Sequence, residues 1–253
     1  MEFTTVLLLF AAGLICGVVN IIGGGGSLLS LPVLTALGLP AAVANGTNRI
    51  AVLMQDISAL WVFKRKGELK TKDSLKLSLP VLIGSIAGTW LAARYLNDTL
   101  LYIIIIILSA GMTVTLYTSP SKWERSTDAI SQGRMSFWQY LILFAIGIYG
   151  GFIQAGFTYL VMAFLVLSVG YSIVSSDAMK LFLNLMIIPV ALGIFWWHGQ
   201  INWTYGLILG VGSAIGGRIG VRFVSSWSPH ITRTILTILL CLSGIYAVAK
   251  LFL

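Results

Sequence analysis

Asn20-Ile21-Ile22-Gly23-Gly24-Gly25-Gly26-Ser27 decides how this chain is read. Four consecutive glycines make a poor helix interior, at about 1 kcal/mol each relative to alanine. Yet apolar segments flank them, at 4–22 before and 27–39 after. The second of these is short for a membrane crossing and contains Pro32. The run therefore predicts two partial helices over 4–39 that meet at an unwound glycine loop. At membrane depth a non-helical backbone is tolerated only where protein or a wet cavity satisfies its polar groups. Exposed N–H groups at a helix N-terminus then form an anion cradle. The plainer alternative is a glycine patch that lets neighbouring helices pack closely.

The membrane setting follows from composition. Of 253 residues, 58% are hydrophobic and only 9% charged, against about a quarter charged in an average soluble domain. Mean hydropathy is +0.95. A soluble fold of this size has no core large enough for so much apolar surface, and a disordered chain is far more polar. What remains is an all-α polytopic membrane protein. At about 20 residues per helix the chain crosses about eight to ten times. Further apolar segments run at 41–63, 74–96, 99–117, 138–156, 157–170, 173–197, 202–224 and 231–250. The longest polar connection divides them, giving a first transmembrane repeat at 1–117, a connecting loop at 118–137 and a second repeat at 138–253.

The halves resemble each other. Ile83-Gly84-Ser85-Ile86-Ala87-Gly88 matches Ile215-Gly216-Gly217-Arg218-Ile219-Gly220 at an offset of 132, as do Gly38 with Gly170 and Gly67 with Gly199. Gly13 and Gly17 match Gly147 and Gly151 at 134. Small residues four apart recur in membrane helices generally, but several matches at one offset indicate a duplication. The basic loop Lys64–Asp73 carries five Lys or Arg, and its partner, His198–Asn202, carries none. Equivalent loops of opposite charge character belong on opposite membrane faces, so two inverted five-segment repeats are expected. With the basic loop inside, Lys122, Arg125, Arg134 and Arg233 also fall inside, and the N-terminus falls outside. The net charge of +8 is thereby explained by orientation, and no nucleic-acid partner is expected. Met1-Glu2-Phe3 lacks the basic region of a signal peptide, so the first apolar segment reads as a retained helix.

The second half repeats the hinge as Gln154-Ala155-Gly156-Phe157-Thr158-Tyr159, with Gln154 corresponding to Asn20. The third segment opens with Asn45-Gly46-Thr47-Asn48-Arg49, and its counterpart is Asp177-Ala178-Met179-Lys180. An ionisable group inside a membrane segment costs at least about 2.5 kcal/mol on insertion scales, which makes Arg49 and Lys180 functional candidates. Alternatively they snorkel to an interface, or pair with Asp56 and Asp177. Gln55, Asp56, Asp177 and Asn184 line a cavity, serve in coupling, or bond neighbouring helices. Trp196, Trp197, Trp203 and Trp227 sit at helix ends and read as interfacial anchors. Cys16 and Cys241 read as small buried residues. His198 and His230 are too few for a metal site, and no hydrolase, zinc or nucleotide-binding motif is present. Neither a cofactor nor enzymatic activity is expected.

The glycine run 23–26 followed by Pro32, together with Gly13, Gly17, Gly38, Asn45-Gly46-Thr47-Asn48 and Gly67, resembles the sulfite exporter TauE/SafE family over nearly the whole chain. The second half departs from it by showing Gln154-Ala155-Gly156-Phe157 in place of a fuller glycine run. The resemblance implies a multi-pass protein of the bacterial inner membrane that moves a small sulfur-containing anion, such as sulfite, sulfoacetate or toluenesulfonate. Alternating access would expose a site made of Asn20, Gly24, Gly25, Gly26, Asn45, Thr47, Asn48, Arg49, Gln154, Gly156 and Lys180. The rival readings are an anion channel, a carrier for a non-sulfur organic anion, a membrane-embedded enzyme or structural subunit, and a metal-cation carrier. The partners expected are the anion, the lipid bilayer and, left open, a second copy in a homodimer.

Overall fold

A computed structural model describes residues 2–118, 135–223 and 229–252, excepting the side chains of 116–118, 173, 223 and 229–233. Most of the connecting loop, with Lys122, Arg125 and Arg134, lies outside the described residues. So do Trp227 and the side chains of His230 and Arg233. The described residues form ten α-helices: α1 Phe3–Gly23, α2 Gly26–Ala36, α3 Ala41–Arg65, α4 Thr71–Tyr95, α5 Asp98–Thr118, α6 Phe137–Phe152, α7 Phe157–Phe164, α8 Ile173–Trp197, α9 Trp203–Phe223 and α10 Pro229–Phe252. Six are long and apolar enough to cross a membrane: α1, α4, α5, α8, α9 and α10. The chain is thus an all-α integral membrane protein.

The glycine run is a reversal of direction. α1 does not stop halfway: its 21 residues extend about 31 Å at about 1.5 Å per residue, a full crossing. It ends because Gly24 adopts the left-handed conformation, φ 71°, and returns its amide to the Asn20 carbonyl at 2.9 Å. The 11 residues of α2 then fold back along α1. Gly26 rests on the Cys16 carbonyl, and Ala36 shares an outer groove with Ala12. The expectation of two partial helices is corrected for α1, which is of full crossing length, while α2 is short as expected. In the second half, α6 ends at Phe152, Gly156 takes φ 72°, and α7 turns back so that the Phe157 ring lies on Gly150. A π-helical turn, Leu165–Val169, completes that arm.

Glycines with positive φ fall in pairs: Gly24 and Gly156, Gly38 and Gly170, Gly67 and Gly199, each separated by 132. α3 and α8 are 25 residues each and also start 132 apart, at 41 and 173. The offset of 134 applies only before the hinges, because α6 ends earlier relative to its left-handed glycine. Asn20 therefore lies in the last turn of α1, whereas Gln154 lies in the linker after α6. The expected correspondence of Asn20 with Gln154 is therefore corrected: the two are not equivalent positions.

Two backbone-to-backbone seams hold the helices together. Gly13 and Gly17 of α1 sit against the Leu209 and Ser213 carbonyls of α9, and Gly212 and Gly216 against those of Phe10 and Leu14. Gly84 and Gly88 of α4 sit likewise against Phe144 and Ile148 of α6, and Gly147 and Gly151 against Val81 and Ser85. In both seams the residue numbers rise together, so the paired helices run parallel. A Cβ at any of these glycines would collide with a carbonyl oxygen. Close approach is how membrane helices gain packing energy without a hydrophobic driving force. α3 packs on α9, α8 on α4, and α5 on α10.

α3 and α8 occupy the centre. Every residue from Ala44 to Val52 is buried, as is every residue from Ser175 to Leu181, so these stretches are enclosed on all sides. That explains why α3 carries so many polar residues: its neighbours are protein. At the periphery, Trp196 and Trp197 are exposed, and the Trp61 ring lies between Arg65, at 3.6 Å, and Arg218, at 5.2 Å. Lys64 and Arg65 belong to the last turn of α3 and Lys72 to the first of α4, so the basic loop proper is only residues 66–70. Cys16 is buried as expected, but Cys241 lies exposed on the outer side of α10.

Candidate functional site

Ending a helix inside a protein leaves its last four carbonyls without intrahelical partners, at the negative end of the helix dipole. α1 and α6 both end this way, and the polar residues of the central helices meet them. At the end of α6, the Gly151 carbonyl accepts from Arg49 Nη2 at 2.8 Å and from Thr89 Oγ1 at 3.1 Å. The Phe152 carbonyl accepts from Asn45 Nδ2 at 2.9 Å. At the end of α1, Lys180 Nζ donates to the Ile21 carbonyl at 3.2 Å. Thr158 Oγ1 lies 3.1 Å from the Gly24 carbonyl and 3.2 Å from Asn20 Oδ1. Each central helix thus lends a cation to the broken helix of the other half.

The two cations differ in what else they touch. Lys180 lies 2.5 Å from the Asp177 carboxylate, three residues before it on α8, so that buried pair is neutral. Arg49 meets no carboxylate within ion-pairing distance among the described residues. Its guanidinium stands 5.8 Å from the Phe195 ring centre, and its Nε and Nη1 have no hydrogen-bond partner. The expected alternative of an Arg49–Asp56 pair is not what forms. Asp56 instead accepts from Asn184 Nδ2 at 2.6 Å and from its neighbour Gln55 Nε2 at 3.4 Å. Asn184 Oδ1 in turn accepts from Gln154 Nε2 at 3.1 Å. Gln154 Oε1 and Asn45 Oδ1 are also buried without partners.

Asn48 of α3 reaches the helix that follows the glycine hinge. Its Oδ1 accepts from Ser30 at 2.6 Å and its Nδ2 donates to Ser27 Oγ at 3.0 Å. This fixes the first turn of α2 to α3. The Gly24–Gly26 backbone is closely covered, by Tyr159, by Met112 and Leu240, and by the Cys16 carbonyl respectively.

Of the residues singled out in sequence, the structure gathers Asn20, Gly24, Gly26, Asn45, Asn48, Arg49, Gln55, Asp56, Gln154, Asp177, Lys180 and Asn184 around α3 and α8, where these two helices meet the reversals. Thr47 stands apart. It faces α9 and accepts the Asn202 amide at 2.9 Å. Gly156 neighbours Leu108 and Tyr149, and Gly25 faces apolar side chains. Ser30, Thr89 and Thr158 were not singled out as site residues. Thr158 could have been found, since it stands 132 residues after Gly26 in the hinge. Thr89 carried no signal, because a single hydroxyl in an apolar helix has many other roles. The whole cluster is closed to solvent: Arg49, Asn45, Asp56, Lys180 and Asn184 are 0% exposed. Among the described residues no group of His, Cys, Asp and Glu could hold a metal ion.

Three relatives align over most of their length. A probable membrane transporter protein, ORF9, of Sinorhizobium sp is 27% identical over 94% of this chain and 90% of its own. One of Haemophilus influenzae is 26% identical over 92% and 90%. The probable membrane transporter protein YfcA of Escherichia coli K12 is 28% identical over 91% and 84%. No solved structure matches the chain. Six crossing-length helices and these relatives make this a multi-pass membrane protein. The family model described as sulfite exporter TauE/SafE matches residues 9–247, and by that match this chain belongs to the sulfite exporter TauE/SafE family.

Proposed function

We propose that this protein carries a small sulfur-containing anion, an organosulfonate or sulfite, across the bacterial inner membrane by alternating access between two inverted repeats. The observation that carries the reading is Arg49. A buried cation lacking a carboxylate is costly in a membrane interior. Its unpartnered Nε and Nη1, which flank the bonded Nη2, leave donors on a planar guanidinium, the group that suits a multi-oxygen anion. The site takes one such anion beside Arg49, with Asn45 and Asn48 on the adjacent turn of α3.

The inverted arrangement is supported by directions. α1 runs parallel to α9 and α6 runs parallel to α4, while the five-residue turns 66–70 and 198–202 reverse the chain between α3 and α4 and between α8 and α9. A carrier is favoured over an open pore because the polar centre is sealed, so a solute reaches it only when helices move. The two reversals, at Gly24–Gly25 and 153–156, are natural places for such movement. The inward basic loop, with the N-terminus outside, remains the orientation that charge favours.

The test is counterflow in proteoliposomes at equal pH on both sides. Labelled toluenesulfonate, sulfoacetate or sulfite should enter faster when unlabelled anion is trapped inside, and Arg49→Ala should abolish this. Unitary currents without counterflow would establish the channel instead. Counterflow of carboxylates but of none of the three sulfur anions would establish a non-sulfur carrier.

A further inference from the structure

Asp56 is the counterpart that the anion site leaves unexplained. We propose that it carries the coupling proton, one for each anion, which rests on the carrier reading above. Arg49 and Asp56 are seven residues apart on α3, which places them on one face, about 10 Å apart along the axis. Among the described residues neither is ion-paired, and both are fully buried. With the site empty the two charges offset each other. An anion bound at Arg49 would leave Asp56 as an uncompensated carboxylate in the membrane interior. For a monovalent anion such as toluenesulfonate, a proton on Asp56 restores neutrality, so the loaded carrier crosses as a neutral complex, just as the empty one returns.

The surroundings suit a carboxyl group that gains and loses a proton. The groups bonded to Asp56 are amides, Asn184 and Gln55. The charged group acting on it is the Lys180 ammonium, itself held at 2.5 Å by Asp177. On α9, which packs on α3, Gly217 lies against Gln55, and the next residue, the charged Arg218, stands 5.2 Å from the Trp61 ring. Asn20 of α1 and Thr158 of α7, bonded to each other, are uncharged. When Asp56 is protonated, the long 3.4 Å bond from Gln55 can invert. Rotation of that amide presents Oε1 to accept from the new O–H. The bond from Asn184 stays on the other oxygen. The proton arrives from hydronium on the open side, which leaves as water, and on the far side water takes it back. Asp177 does not serve, because its charge is already spent on Lys180.

The experiment uses purified full-length protein in proteoliposomes, with the membrane potential clamped. The probe is toluenesulfonate, or sulfoacetate if counterflow shows that only the latter is carried. With the outside acidic and the potential held at zero, the wild type should accumulate the probe about tenfold per pH unit. Asp56→Asn should keep counterflow at equal pH but lose accumulation. Counterflow without a response to the pH gradient, or accumulation driven by a sodium gradient, overturns the proton assignment and leaves the carrier reading intact. Absence of counterflow overturns the carrier reading itself. If Asp56→Asn does not elute as a folded, monodisperse species, Asp56→Glu keeps the carboxyl. It should then shift the pH of half-maximal uptake, and an unchanged midpoint overturns the role of this residue.

Discussion

The Arg49 guanidinium donates to the Gly151 carbonyl across 2.8 Å, tying the middle of α3 to the last turn of α6. One nitrogen thus steadies a helix end while two others stay unpartnered. A residue anchored at one edge and free at the other is pre-organised, so an anion that meets it forgoes little rotamer entropy. Arg49→Ala should weaken sulfonate binding by at least about tenfold, given about 1.5–3 kcal/mol for hydrogen bonds to a charged group. Arg49→Lys should fall between, keeping the charge but losing the fork. Titration calorimetry of the three proteins checks this. Equal affinities would remove Arg49 from the site. Thr89 still serves the Gly151 carbonyl in the alanine variant, which limits the structural damage.

Lys180 and Asp177 form a buried pair. Removing one partner strands the other, so Lys180→Ala should destabilise by about 3–5 kcal/mol. The double variant Asp177→Ala with Lys180→Ala should be less destabilised than the sum of the singles. Thermal unfolding in detergent across the mutant cycle measures the difference, and simple additivity would mean that the pair does not interact.

Gly88 lies against the Ile148 carbonyl in the α4–α6 seam, whereas a Cβ added at Gly111 in α5 would meet nothing within 4 Å among the described residues. Gly88→Ala should therefore lower the unfolding temperature, because helix backbones must separate. Gly111→Ala should be neutral or stabilising by up to about 1 kcal/mol from helix propensity. Opposite results from the same pair of melting curves would contradict the seam.

Gly24 and Gly156 both hold left-handed backbone at a reversal, but their surroundings differ. At Gly24 a Cβ would lie 2.7 Å from the Tyr159 amide nitrogen, and at Gly156 its nearest neighbour would be the Leu108 side chain at 3.6 Å. Gly156→Ala should cost about 1–2 kcal/mol, the backbone term alone, and Gly24→Ala more. Unfolding midpoints of the two variants give the order.

Thr47 bonds the Asn202 amide at the start of α9, away from Arg49. Thr47→Val should lower stability by about 1 kcal/mol and leave sulfonate affinity unchanged. A loss of affinity comparable with that of Arg49→Ala would place Thr47 at the anion after all.

The membrane class, the helical segments to within a few residues and the polar positions of α3 and α8 were legible in the chain. A bilayer fixes helix length, and any polar residue in an apolar run stands out against it. The left-handed glycines at 38 and 170 and at 67 and 199 belong to the same class of signal, whereas the pairing of Gly24 with Gly156 came from the backbone alone. Glycine at such a position answers a local backbone requirement, written where it is needed. The resemblance to the family rested on the same residues.

Partnership was decided only by the tertiary structure. Spacing along α3 allowed Arg49 to meet Asp56, but packing gave Arg49 to the carbonyls of α6 and Asp56 to Asn184 on α8. The glycine run announced a break in the helix without saying that α2 would fold back along α1. A break frees backbone carbonyls, and which side chains come to satisfy them depends on helices far away in sequence. No periodicity within one segment records that choice.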